Sequence, residues 1–294
     1  MPFKEKLGPR SVEEGEATEQ EKSHYLSLLG KCIYLLFTYP ELGWIISFLA
    51  KFSRNPSKVA ITTLRSRVIG YLKRTVNEHC VRYTHAACFD ANTTSGDDPA
   101  LTKDGKLKEC DLSVFNLHSY ADATYQSPGW LKGYEYGGHC VIMCGAAVTA
   151  KSGKQTIIGH STMDTEWYQL VEAYKATQFF VTLCDEAGYK RTEPIDFFED
   201  NKPTAQSVTS SVMKKKSWHI NKRYLAVRVY VQDTKEMSIF WIAGKCQVAD
   251  LLTKGVSQAV WCDLVPVLLG LTPVNARMHS IEMQINTVHP HYPP

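Results

Sequence analysis

Apolar residues recur at intervals of three and four through "SHYLSLLGKCIYLLF", "ELGWIISFLAKFSRNP" and "VAITTLRSRVIGYLKRT", between Ser23 and Thr75. That period predicts a small helical unit. The apolar run from Cys32 to Ala50 has the length of a membrane span, yet Pro40 and Glu41 divide it. A charge at the centre of a span is costly, so two short helices around a turn are the expectation. Val81 to Ala86 has the pattern of a short strand, and the Gly-, Asp- and Lys-rich stretch "FDANTTSGDDPALTKDGKLKEC" after it reads as a linker. Beyond Asp111 the period changes. Strand patterns occupy 113–125 and 139–153, the second turning near Gly145, with "KQTIIG" (154–159) as an extension or a third strand. A helix is predicted from about Met163 to Ala187, with Gly188 closing it. A strand at 193–200, a helix at 216–232, a strand at 237–243 and a helix starting in "QVADLLTKG" complete the order. Such a succession predicts a mixed sheet with helices on its faces.

Composition narrows the class without naming a function. With 294 residues, 44% of them hydrophobic, the chain can bury a sizeable core. Its net charge of +3 permits a phosphate-bearing partner and does not require one. The nine cysteines include no CxxC pair, and no secretory signal precedes them, which points to reduced thiols inside the cell. Cys140 and Cys144 flank "VIM" and fit a buried strand better than a metal site. Residues 1–22 are charged and poor in large apolar groups, as in a mobile tail.

The acids stand out less by number than by position. In "STMDTEWYQLVE" (161–172), Asp164 suits the first turn of a helix, where the macrodipole favours negative charge. Glu166 precedes Leu170 and Ala173 by four and seven residues, so it shares the face that should be buried. A buried acid requires a partner. Taken singly, Asp122 can end a strand, Asp200 can open a turn or cap a helix, and Asp250 can sit at a helix N-terminus.

The order and separation of "YADATY", "STMDTEWYQLVEA", "FFEDNKPTAQ" and "VADLLTKG" resemble the ribonuclease H domain at the end of copia-type LTR retrotransposon Pol polyproteins. There the corresponding stretches look like "YSDADW", "SSTEAEYIALSEA", "YCDNQSAI" and "LADILTKPL". "YLLFTYPELGWIISFLAKFSRNPS" and "VIGYLKRT" resemble the segment that closes the reverse transcriptase, "YLxxTRPDIxFAVxxLSRFxxNPT" and "VLRYLKGT". The resemblance spans roughly residues 24–272. It implies an α/β fold: a ribonuclease H-like mixed five-stranded sheet with flanking helices, preceded by the small helical unit. The domains would be a tail (1–22), a helical remnant of the reverse transcriptase thumb or connection (23–88), a linker (89–111), the ribonuclease H-like domain (112–272) and a C-terminal tail (273–294).

That resemblance also implies a site. Asp122, Glu166, Asp200 and Asp250 fall on the catalytic, metal-binding positions, whereas the neighbouring Asp164 and Glu199 do not. Two Mg2+ or Mn2+ ions on such a set would cleave the RNA strand of an RNA–DNA hybrid. Lys214, Lys215, Lys216, Trp218, His219, Lys222 and Arg223 form a basic, aromatic-bearing stretch that suits a hybrid's phosphates and bases, or simply a solvated face. His219 stands where the family often has "KHIDVRYH". The family's Tyr-x-Asp-Asp motif is absent from the chain, so DNA synthesis is not expected. "TYPE" for "TRPD", "HIN" for "HID" and "LTKG" for "LTKP" mark a diverged copy, resembling a truncated element. A catalytically inactive remnant that only binds nucleic acid is therefore the alternative reading. Expected partners are the hybrid and other Pol segments, with no membrane, in the cytoplasm within a virus-like particle or in the nucleus.

Overall fold

The computed structural model describes residues 7–83, 117–124, 135–159, 161–188, 194–209 and 221–271. The predicted linker, the C-terminal tail from 273 and the basic stretch from Lys214 to His219 lie outside these residues. Five strands form one mixed sheet: β1 (His118–Thr124), β2 (Tyr136–Met143), β3 (Ala146–Lys154), β4 (Ile195–Glu199) and β5 (Met237–Trp241), in the order β3-β2-β1-β4-β5. β1, β2 and β3 are antiparallel neighbours, whereas β4 runs parallel to both β1 and β5. The mixed five-stranded sheet with flanking helices is as expected.

Local chemistry explains the connections. β2 turns into β3 through Cys144 and Gly145, both at positive φ, 54° and 81°. A two-residue hairpin needs that backbone to match the strand twist. The "KQTIIG" stretch adds no strand, since β3 ends at Lys154. Gln155 instead turns inward and donates to Thr165 O at 3.0 Å. The long helix α5 spans Thr162–Glu186, with Ser161 Oγ accepting the Asp164 N–H and Gly188 following at φ 90°. In the predicted helix at 216–232, the described part comprises α7 (Asn221–Arg228) and a wider turn at Val229–Asp233. α6 (Lys202–Thr209) links β4 towards it.

The helical unit comprises α1 (Glu19–Tyr34), α2 (Gly43–Ala50), α3 (Lys58–Thr62) and α4 (Ile69–Thr75), with a π-type stretch at Thr63–Val68 between the last two. Pro40 and Glu41 break the apolar run as predicted, in a 3-10 turn between α1 and α2. Among the described residues no helix is long and apolar enough to cross a membrane. Where the pattern suggests a mobile tail, Arg10 donates to Gly15 O and Pro56 O, both at 2.8 Å, and Thr18 caps α1. Val81–Tyr83 forms no ladder; Arg82 N–H donates instead to Leu269 O at 2.8 Å. Two further helices follow β5: α8 (Asp250–Thr253) and α9 (Gln258–Leu268). The helix opening in "QVADLLTKG" is thus not the last one. α9 was legible too, since Ser257 caps a run with Trp261, Leu264, Val265 and Leu268 buried.

Both faces of the sheet are covered. Tyr120, Cys140, Ile142 and Phe198 meet the helical unit, α8 and α9 in one core that includes Leu42, Ile46, Leu49, Leu252 and Leu264. Ala121, Val141, Ile195 and Phe197 face the other way, against Trp167 and Leu170 of α5. Alternation along each strand therefore sorts residues between two cores. The parallel pair β1 and β4 brings the C-terminal ends of both strands to the same edge.

Candidate metal centre

At that edge Asp122 lies near the C-terminal end of β1 and β4 ends just before Asp200, while α8 starts with Asp250. One carboxylate oxygen from each of these three acids lies within 4.8 Å of the others. The structure thus gathers residues separated by up to 128 positions in sequence. Glu166 is outside this tight group. It projects from α5, 3% exposed, and accepts a hydrogen bond from the Ala123 N–H, while its Oε2 has no hydrogen-bond partner. Asp164, two residues earlier, belongs to the capped first turn of α5 and not to the acid group. The backbone of Lys222 and Arg223 lies in α7.

Several side chains hold the acids in place. Thr253 Oγ1 donates to Asp122 Oδ2. Lys254 Nζ pairs with Asp250 Oδ1 at 2.7 Å and lies 3.8 Å from Asp122 Oδ2. Gln247 Nε2 donates to Ala121 O at 2.9 Å, with Phe198 O at 3.5 Å, and so ties the ends of β1 and β4 together. Trp241 Nε1 donates to Asp200 O at 3.0 Å. Asn201 Oδ1 accepts the Thr204 N–H at 3.1 Å, which fixes the start of α6 immediately after Asp200. Beside Asp200 an open groove of about 500 Å³ runs past Ser161, Thr162, Lys202 and Pro203.

The electrostatics are those of too many acids in too little water. Burial raises the Glu166 carboxyl well above the usual range, and repulsion from Glu199, Asp122 and Asp200 adds to it. Asp250 is pushed up to about 7 by burial and by Asp122, against the pull of Lys254. Asp200 rises for the same reasons, burial first and Asp122 second. For Lys254 burial favours the neutral amine, but Asp122, Asp250 and Asp200 together outweigh it and raise the group. An all-carboxylate donor set suits a hard divalent cation such as Mg2+ or Mn2+. A cation would also satisfy the buried Glu166 oxygen and relieve the mutual repulsion, so these residues fit the metal that the motifs imply.

Period-two counting carries a signal for one further residue. Ile195, Phe197 and Glu199 share the face of β4 that meets α5, which places Glu199 in the neighbourhood of Glu166. Lys254, Thr253 and Gln247 are not legible as site residues in this way, because only the tertiary fold brings α8 to β1.

No protein-family model matches the chain. Over 255 residues it is 22% identical to the retrovirus-related Pol polyprotein from transposon RE1 of Arabidopsis thaliana, a match covering 86% of this chain and 15% of that one. Over 242 residues it is also 22% identical to the Pol polyprotein from transposon RE2 of the same plant, covering 82% and 14%. The chain is similar in sequence to copia-type retrotransposon Pol polyproteins. It spans about one seventh of the length of those relatives. Among solved structures, LC11-RNase H1 in complex with RNA/DNA hybrid matches 47% of this chain and 93% of its own, at 12% identity and a TM-score of 0.37.

Proposed function

We propose that the chain is a ribonuclease H-type endonuclease that cleaves the RNA strand of RNA–DNA hybrids, with Asp122, Glu166, Asp200 and Asp250 holding two Mg2+ or Mn2+ ions. The observation that supports this reading most directly is the convergence of Asp122, Asp200 and Asp250 within 4.8 Å, beside the unpartnered oxygen of buried Glu166. Bound ions would supply a polarised phosphodiester and an activated water. The protein's own residues do the rest. Thr253 orients the Asp122 carboxylate, and Gln247 keeps the ends of β1 and β4 at a fixed separation. Lys254 partly neutralises Asp122 and Asp250, which lets these acids approach one another before any ion arrives. The groove beside Asp200 gives a sugar–phosphate strand a path to the acids. Choice of the hybrid as substrate follows from the Pol relationship, and reading of RNA rather than DNA would rest on contacts to the 2′-hydroxyl. The helical segment at 23–88 is read as the former reverse transcriptase thumb or connection, and no polymerase activity is proposed.

The test is cleavage of an end-labelled RNA–DNA hybrid in Mg2+ or Mn2+ by the full chain and by Asp122→Asn. Metal-dependent cutting of the RNA strand is expected from the unsubstituted protein, with a loss of about a thousandfold in the variant, as for removal of several kcal/mol of metal stabilisation. Equal activity in a folded Asp122→Asn would sink the assignment. Binding of hybrid without cutting would leave a nucleic-acid-binding module only.

A further inference from the structure

Glu199 plays no part in the reading above, yet it is completely buried. Its Oε1 accepts the Asn201 N–H at 2.9 Å, a contact that braces the turn after β4. Its Oε2 has no hydrogen-bond partner. A turn brace accounts for the first oxygen and not for the second, because a buried carboxylate oxygen left alone is expensive. The surroundings show what would satisfy it. Glu199 lies on the α5 face of β4 and is the acid that acts most strongly on Glu166, whose own Oε2 is also unpartnered. Asp200 and Asp122 act on Glu199 as well. Two buried carboxylate oxygens without hydrogen-bond partners, on the α5 side of an acid triad, offer ligands to a hard cation.

We infer that Glu199 is a fifth carboxylate of the metal centre and holds an ion jointly with Glu166. This rests on the metal-centre reading, and the experiment separates the two. Mn2+ is titrated, without nucleic acid, into the full chain, Asp122→Asn and Glu199→Gln, followed by calorimetry and by the shift in melting temperature. Glutamine keeps the size of the side chain and an acceptor for the Asn201 N–H, so a bracing role survives it. The expected result is Mn2+ binding by the unsubstituted chain, its loss in Asp122→Asn, and at least ~10-fold weaker binding in Glu199→Gln. In Glu199→Cys a thiolate at this position should shift preference towards Cd2+ relative to Mn2+ by about 10-fold or more, since soft ligands select soft ions. A brace would produce no such shift, and this variant decides the matter if Glu199→Gln does not fold. Normal Mn2+ binding in Glu199→Gln with no Cd2+ preference in Glu199→Cys, while Asp122→Asn loses the metal, overturns the role of Glu199 and leaves the centre standing. An unsubstituted chain that binds no Mn2+ overturns both.

Discussion

Glu41 and Glu166 are buried to nearly the same degree, 1% and 3% exposed, and each leaves one oxygen without a hydrogen bond. Their neighbours differ in sign. Glu41, in the turn between α1 and α2, accepts from the Tyr71 hydroxyl at 2.9 Å and has His79 Nδ1 3.6 Å away, a donor and a potential cation supplied by the fold. Glu166 has one backbone N–H and three other acids. Burial of an acid, or even an unsatisfied oxygen, is therefore weak evidence of function by itself. Surrounding charge of the same sign is stronger, because a bound cation is a direct way to compensate it.

The largest expected effect tests that contrast directly. Glu166→Gln should abolish the rise in melting temperature on adding Mn2+ and lower hybrid cleavage about a thousandfold. Glu41→Gln should leave the Mn2+ response intact while costing ~1–3 kcal/mol of stability, the penalty for disturbing a buried hydrogen-bonded acid. Melting curves of both variants with and without Mn2+ check this. A metal response that survives Glu166→Gln, or that disappears in Glu41→Gln, breaks the comparison.

A smaller effect is expected where the metal-side region depends on close approach. Gly138 pairs with Asp122 across β1 and β2, and a Cβ there would stand 2.6 Å from Leu252 Cβ and 3.0 Å from the Leu252 carbonyl carbon. α8 must therefore move in Gly138→Ala, and Asp250, Thr253 and Lys254 move with it. A displacement of ~1 Å costs about 100-fold in rate, so cleavage should fall by that order while the helical unit around Glu41 stays folded. Single-turnover cleavage beside a circular dichroism melt reads both. Unchanged cleavage would mean that α8 does not position the site.

How much of this was legible follows the same division. The sheet and α5 are written in local periodicity, and each strand's inward and outward residues sort by alternation into the two cores. Asp122, Asp200 and Asp250 were recognisable through ordered motifs, although each alone resembles a turn or cap residue. Glu199 was set aside beside Asp200 because motif alignment treats one residue per position, whereas the strand period already puts it on the face of Glu166. The contacts of Arg10 could not be read from composition. A charged stretch looks like a tail until its guanidinium meets Pro56 O, 46 residues away. Gln247, and Lys254 in its approach to Asp122, are illegible for the same reason, since those partners belong to a strand far off in sequence.

The smallest expected effect is a pair of pH dependences in metal-free protein, one from each region. Asp250 is raised to about 7, with burial and Asp122 as the causes. An acid whose folded value exceeds its unfolded one binds its proton more tightly in the fold, so its contribution is present at low pH and is lost as pH rises from about 4 to about 7. Raised Glu166, Glu199 and Asp200 carry the same sign. His79 is raised by the carboxylate of Glu41 beside it, so its contribution is complete below about 6.5 and disappears as pH climbs through the folded value. The two therefore decline in successive windows. With EDTA present, the melting temperature should fall by ~4–8 °C between pH 4.5 and 7, about 2 kcal/mol at 2–4 °C for each, and Asp250→Asn should flatten that part. His79→Asn should flatten only the part above about pH 6.5, by no more than ~0.5 kcal/mol because the imidazole is partly solvated. Added Mn2+ should reverse the first decline and leave the second untouched, since ions compensate the acids at the sheet edge and have no access to the Glu41 pair. A Mn2+ effect on the upper window would show that the two buried glutamates are not independent.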